Sequence, residues 1–122
     1  PQNFRSRAMN DPTPACPPCG VVLTTLPDEA GAEALARQIV GAGLGACVQL
    51  QAIRSVYRWQ GETCAEPEWR LAIKTRADRY PALEAFIRAR HPYTLPQIVM
   101  LPITAGAPDY LQWVAEGSAG AE

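Results

Sequence analysis

Apolar and polar positions alternate with period two through the middle of the chain. Trp69, Leu71, Ile73 and Thr75 share one parity, while Glu68, Arg70, Ala72 and Lys74 share the other, the pattern of a half-buried antiparallel strand. Upstream, Val48, Leu50 and Ala52 keep one parity and Ile53, Ser55, Tyr57 and Trp59 take the opposite one, which predicts a bulge inside the first of two paired strands. Gln60-Gly61 supplies a reversal, so residues 47–75 are expected to form one hairpin about Trp59-Gln60-Gly61-Glu62. A strand of about 13 residues spans on the order of 40 Å, roughly twice the usual length. The helix expected before it, about 15 residues long, covers only roughly 22 Å. One chain cannot shelter both faces and both edges of such a hairpin, and native proteins cover or pair exposed edges. A neighbouring copy is expected to do so.

The flanks read as a βα unit on each side. Residues 21–25 are a short β-branched strand, and Pro27-Asp28-Glu29 opens a helix with proline in the first turn and acids at the positive end of the dipole. Its apolar stripe is Ala32, Leu35, Ala36, Ile39 and Val40, and Gly41 and Gly43 end it. Beyond the hairpin, Asp78 is the expected cap of a second helix that tolerates Pro81 in its first turn, buries Leu83, Phe86 and Ile87, and stops at His91-Pro92. Residues 97–103 form a nearly continuous apolar run, expected as an inner strand covered on both faces with an exposed end at Pro102. A last helix over 108–116 is anchored by Tyr110, Leu111 and Trp113.

The order predicts an α+β fold. It is a ferredoxin-like βαββαβ antiparallel sheet with helices on one face, a long central hairpin and an extra C-terminal helix. The open face of such a sheet also needs a cover, a second reason to expect self-association. Residues 1–20, rich in Pro and polar side chains, read as a flexible lead, in which those before Met9 are expected to be tag-derived or a processing remnant. Residues 21–117 form the single domain, and 118–122 a tail that frays.

At 122 residues the chain suffices for one core. Its net charge of −1 is mixed along the sequence and leaves no footprint for nucleic acid or an anionic membrane. With no apolar run of membrane-crossing length and no secretory signal, a cytoplasmic protein is expected. Four cysteines, two in the lead and one in a strand, do not make a disulfide framework and fit a reducing compartment.

Five motifs then fall in one order: Ala46-Cys47-Val48; Ser55-Val56-Tyr57-Arg58-Trp59 with Gly61; Glu68 followed by Ile73-Lys74-Thr75; His91-Pro92-Tyr93 with Pro96; and Tyr110-Leu111-Gln112-Trp113. In these the chain resembles the CutA family of divalent-cation tolerance proteins, from about Val21 to Val114. The resemblance implies a tight homotrimer with hairpins interlocked between subunits, loosely similar to the PII signalling trimers, and an association with tolerance of copper and other divalent metals. Two departures stand out. Ala107 occupies a position where the family often has a polar helix cap, and the cysteine-bearing lead is not a family feature.

Cys47 is the cysteine that matches the family, and a thiolate is a good soft ligand for copper(I) or mercury; a small buried filler is the competing reading. His91 is the single histidine. It is a second candidate ligand against the ordinary role of bonding the last carbonyls of its helix. Trp59, Glu68, Lys74, Tyr93 and Tyr110 fall at family motif positions and are expected to converge on clefts between subunits, although each is equally at home as a solvated or interface side chain. Cys16-Pro17-Pro18-Cys19 has a two-residue metal spacing without the second pair that structural zinc requires. Cys64 has no assigned role. No nucleophile elbow, orienting acid or phosphate loop points to catalysis, so no enzyme and no obligatory cofactor are expected. The preferred function is a trimeric metal-homeostasis protein that binds copper or another divalent cation through thiol and imidazole. The alternative is a PII-like module that holds a small anionic ligand or partner segment in its clefts.

Overall fold

The elements follow one another as β1 (Cys19–Leu26), α1 (Glu29–Gly41), β2 (Cys47–Trp59), β3 (Glu62–Arg76), a 3-10 turn (Ala77–Arg79), α2 (Tyr80–Arg90), β4 (Val99–Pro102) and α3 (Pro108–Gly117). They come from a computed structural model that describes residues 16–120. All pairings are antiparallel, in the order β2-β3-β1-β4. Parity sets the layers. Val22, Leu71 and Ile73 point to one face, where they meet Leu35 and Ile39 of α1 and Leu83 and Ile87 of α2 in a closed core. Each such side chain, once out of water, contributes about 1.5–3 kcal/mol.

α1 starts at Glu29, later than expected: Pro27 lies outside the first turn, and Asp28 caps the helix by accepting the Gly31 N–H at 2.7 Å. Val40, placed on the stripe by spacing, is instead 46% exposed, because the stripe ends at Ile39. Asp78 does not cap the second helix. It lies in the 3-10 turn and binds the Arg76 guanidinium through both oxygens, and α2 begins without a side-chain cap. Phe86 is half-buried beneath the Arg90 guanidinium, 3.5 Å above its ring.

The hairpin turns where expected. Gln60 and Gly61 both have positive φ, 50° and 82°, the two-residue geometry whose twist matches the flanking strands. The predicted bulge is absent, since the register runs unbroken from Cys47 opposite Lys74 to Trp59 opposite Glu62. The parity switch has another cause. Val48 and Leu50 pack on the helix-side core, but β1 pairs with β3 only as far as Trp69. Among the described residues, 53–59 and 62–68 therefore pair only with each other, an arm of roughly 23 Å whose apolar parity lies on the face opposite α1 and α2.

β4 is not an inner strand. It forms the edge beside β1, with Val99 and Leu101 43% and 52% exposed. Tyr80 helps to seat it by donating its hydroxyl to the Ile98 carbonyl at 3.1 Å. α3 packs on the parity opposite α1 and α2, over Cys19, with Val114 and Ala115 buried. Ala107 offers it no side-chain cap, and Asp109 instead accepts the Tyr110 N–H at 2.8 Å.

Both expected boundaries shift. Residues 1–15 of the lead and 121–122 of the tail lie outside the described residues, but Cys19 and Gly20 already belong to β1. Ser118 is fully buried, donating to the Val114 carbonyl at 2.7 Å and accepting the Arg76 N–H at 3.0 Å, so the segment after Gly117 is pinned where fraying was expected. None of the described helices is long and apolar enough to cross a membrane.

Candidate functional site

The segment that leaves α2 folds back over the face opposite α1 and α2, where His91 latches it. Its Nε2–H donates to the Thr25 carbonyl at 2.9 Å, and its Nδ1 accepts the Tyr93 N–H at 3.1 Å. A nitrogen facing a carbonyl must carry the proton, and one facing an N–H must not, so the two contacts fix a neutral tautomer. Burial lowers the ring's pKa below its ordinary 6.5, with the Thr25 carbonyl and Glu68 opposing the shift. Neither nitrogen keeps a lone pair for a metal in this arrangement.

Tyr93 extends the latch by donating its hydroxyl to Glu68 at 2.8 Å. Two residues along β3 the same motif recurs, with Tyr57 donating to Glu66 across the strands. Burial, then Glu68, raises the Tyr93 pKa above its usual value, and the Glu66 contact pushes Tyr57 up to about 12. Both phenols are therefore protonated donors at neutral pH. Ser55, Tyr57, Trp59, Glu66 and Glu68 wall one side of a groove of about 750 Å³, and Pro92, Tyr93, Thr94 and Leu95 wall the other. Its two carboxylates keep free lone pairs beside aromatic faces, with Arg58 as the one cation on the lining. That chemistry suits a cation or a donor-rich group better than an anion.

Lys74 and Tyr110 lie elsewhere. The Lys74 ammonium is 2.8 Å from Gln49 Oε1 and 3.5 Å from the Tyr110 hydroxyl, and Tyr110 stacks on Trp113 with centroids 5.7 Å apart. Cys47, half-buried, is in register opposite Lys74. The residues singled out from sequence thus fall into two groups within one chain: Trp59, Glu68, Tyr93 and His91 by the arm, and Cys47, Lys74 and Tyr110 by α3. Six residues of β3 separate Glu68 from Lys74, about 20 Å. Cys47 and His91 do not meet in one subunit, and among the described residues no three His, Cys, Asp or Glu side chains form a metal-holding group.

Sequence reasoning passed over Ser55, Tyr57 and Glu66 as groove residues. The signal was available: Ser55, Tyr57 and Trp59 share one parity, as do Glu66 and Glu68. What hid it was the choice of candidates by motif position rather than by shared strand face.

Comparison with known proteins places this geometry. Residues 20–117 match the family model described as CutA1 divalent ion tolerance protein. The divalent-cation tolerance protein CutA of Thermus thermophilus is 42% identical over 99 residues, covering 80% of this chain and 96% of that one. Its counterpart from Yersinia pestis is 43% identical over 95 residues, covering 77% and 80%. Among solved structures, CutA1 from Oryza sativa superposes with a TM-score of 0.82 at 36% identity, covering 84% of this chain and 95% of that one. The Thermus thermophilus protein superposes with a TM-score of 0.79, covering 82% and 98%. The chain belongs to the CutA1 divalent ion tolerance family.

Proposed function

We propose that the chain works as a non-enzymatic homotrimer in divalent-cation tolerance, and that it binds copper or a similar soft cation through Cys47. The observation that carries the assembly is the arm. Among the described residues, 53–59 and 62–68 have no partner on either outer edge within the subunit, and Val56, Tyr57 and Trp59 on them are 69%, 39% and 45% exposed. Val99, Leu101 and Leu95 add further exposed apolar surface. Edges and side chains of this kind are covered in stable proteins, and another copy is the simplest cover. Three-fold closure follows from the family resemblance, and the cytoplasmic setting from the cysteine pattern of the sequence.

Cys47 is the soft donor of the family-matching set and lies half-buried at the start of β2. The partners a cation needs beyond one thiolate come from neighbouring copies in this reading. His91 holds the groove wall, and an imidazole contribution to metal binding requires its latch to open. Light scattering and copper titration of reduced protein test both halves. A trimer whose copper stoichiometry drops in Cys47→Ser supports the reading. A folded lone subunit at micromolar concentration refutes the assembly, and unchanged copper binding in Cys47→Ser removes the ligand.

One observation favours the PII-like alternative. Lys74, Tyr110 and Trp113 form a cationic and aromatic surface that a small anion bearing a flat ring would fit. A thermal-shift response to nucleotides or organic acids that is lost in Lys74→Ala and kept in Cys47→Ser would select it.

A further inference from the structure

Cys16 and Cys19 stand apart from both groups of candidate residues. Cys19 opens β1, is 6% exposed and packs with Val114 and Ala115, and half-buried Cys16 packs on the same cluster. The segment carrying them is fixed to the body. The Pro18 carbonyl accepts the Ala77 N–H at 2.8 Å, and the Cys19 carbonyl accepts the Ile103 N–H at 3.0 Å. Pro17 and Pro18 lock their own φ angles, so the segment between the two cysteines has little conformational freedom left to lose on binding a ligand. Neither thiol is cross-linked. Cys19 Sγ lies 3.5 and 3.9 Å from the Pro17 and Leu111 carbonyls.

The local charges narrow the ligand. Burial makes the Cys19 thiol harder to ionise, the neighbouring Cys16 adds to this, and Arg76 acts in the opposite sense. Arg76 is also the register partner of Cys19 on β3. A metal that takes thiols as ligands displaces their protons. No third His, Cys, Asp or Glu joins them among the described residues, which disfavours zinc with its four ligands and suits a soft cation content with two sulfurs. One monovalent cation between two thiolates leaves a single negative charge beside the Arg76 guanidinium, which is shared with Asp78.

We propose that Cys16 and Cys19 form a bis-thiolate site for copper(I), distinct from Cys47. Binding forms two Cu–S bonds, breaks two S–H bonds, releases both protons to solvent and changes no oxidation state. The choice of metal rests on the cation-tolerance reading, whereas the placement of the two thiols does not.

The test is anaerobic titration of the reduced full chain with copper(I) against a chromophoric chelator, on the parent, Cys16→Ser, Cys19→Ala and Cys47→Ser. The parent should hold a tight equivalent. Replacing a direct ligand should weaken it by more than about 100-fold, beyond the effect of losing an outer-shell group, while Cys47→Ser leaves it in place. Cys16 is half-exposed, so Cys16→Ser decides the matter even if Cys19→Ala fails to fold, with circular dichroism as the check. Loss of the tight equivalent in Cys47→Ser but not in Cys16→Ser overturns this inference and spares the proposed function; loss of one equivalent in Cys16→Ser, with a separate equivalent lost in Cys47→Ser, supports both. Recovery of Cys16 and Cys19 as a disulfide in a reducing glutathione buffer, with no copper retained, also overturns it.

Discussion

The two halves of β3 have the same alternation and opposite fates. From Trp69 to Arg76 the strand lies between β1 and β2, and Leu71 and Ile73 are fully buried under α1 and α2. From Glu62 to Glu68, among the described residues, it pairs with β2 alone under no helix, and apolar side chains opposite it are exposed in the subunit. Period two specifies a strand in both halves, but burial depends on what the rest of the chain places above it. The body is therefore stabilised by its own helices, and the arm by whatever comes to meet it.

The largest test of that contrast is a matched pair of truncations. Leu71→Ala opens a cavity in the closed core and should cost about 2–5 kcal/mol in denaturant unfolding, independent of protein concentration. Val56→Ala removes less from a side chain that is 69% exposed in the subunit, and should change subunit stability by no more than about 0.5 kcal/mol. In the proposed assembly its effect appears instead as a concentration-dependent shift in the trimer–subunit equilibrium. Equal, concentration-independent losses at both positions would erase the distinction between body and arm.

A smaller contrast separates two glycines. A Cβ at Gly61 or at Gly41 meets nothing within 4 Å, but only Gly61, at the tip of the arm, has positive φ, 82°. Gly61→Ala should cost about 1–2 kcal/mol through the left-handed backbone. Gly41→Ala, at the end of α1, should be neutral or gain up to about 1 kcal/mol. Urea unfolding of the two variants side by side separates backbone strain from crowding, since neither site is crowded.

Local signals were legible in the sequence, and long-range ones were not. The opening of α1 near Asp28-Glu29, the Gln60-Gly61 turn, and the core faces of Leu71, Ile73, Leu83 and Ile87 are all decided within a few residues. The edge position of β4 is not, because an apolar run looks alike whether helices or another copy will cover it. The supposed bulge at Ala52-Ile53 was a change of partner from helix layer to open face, and parity alone cannot tell the two apart. The same limit split the candidate site. Motif positions named Trp59, Glu68, Tyr93, Lys74 and Tyr110 together, but only strand register shows that Lys74 and Glu68 sit far apart on one strand. The buried Ser118 and Cys19 were missed for a related reason: they lie where composition is loop-like, and their contacts come from distant Arg76 and α3.

The seam between body and arm is where the smallest effect should appear, as pH dependence. His91 ties the loop after α2 to Thr25 in the body, and Tyr93 carries that tie to Glu68 at the base of the arm. Burial holds the ring's pKa below its ordinary 6.5, the value approached in the unfolded chain. Between the two values the unfolded chain binds more protons, so stability rises with pH across that window. The contribution is complete above about pH 6.5 and is lost as pH falls through the folded value. Protonation also places a second N–H against the Tyr93 N–H, which drives the loop off the groove. Asp78 and Glu84, lowered from 3.8 and 4.5 mainly by Arg76 and Arg88, lose their contributions at more acid pH and do not blur this window. Thermal midpoints measured from about pH 7 down to about pH 5 should therefore decline in the parent chain and flatten in His91→Gln. A parallel decline in both would mean that the latch does not sense protons, and that the acid sensitivity of this seam comes from elsewhere.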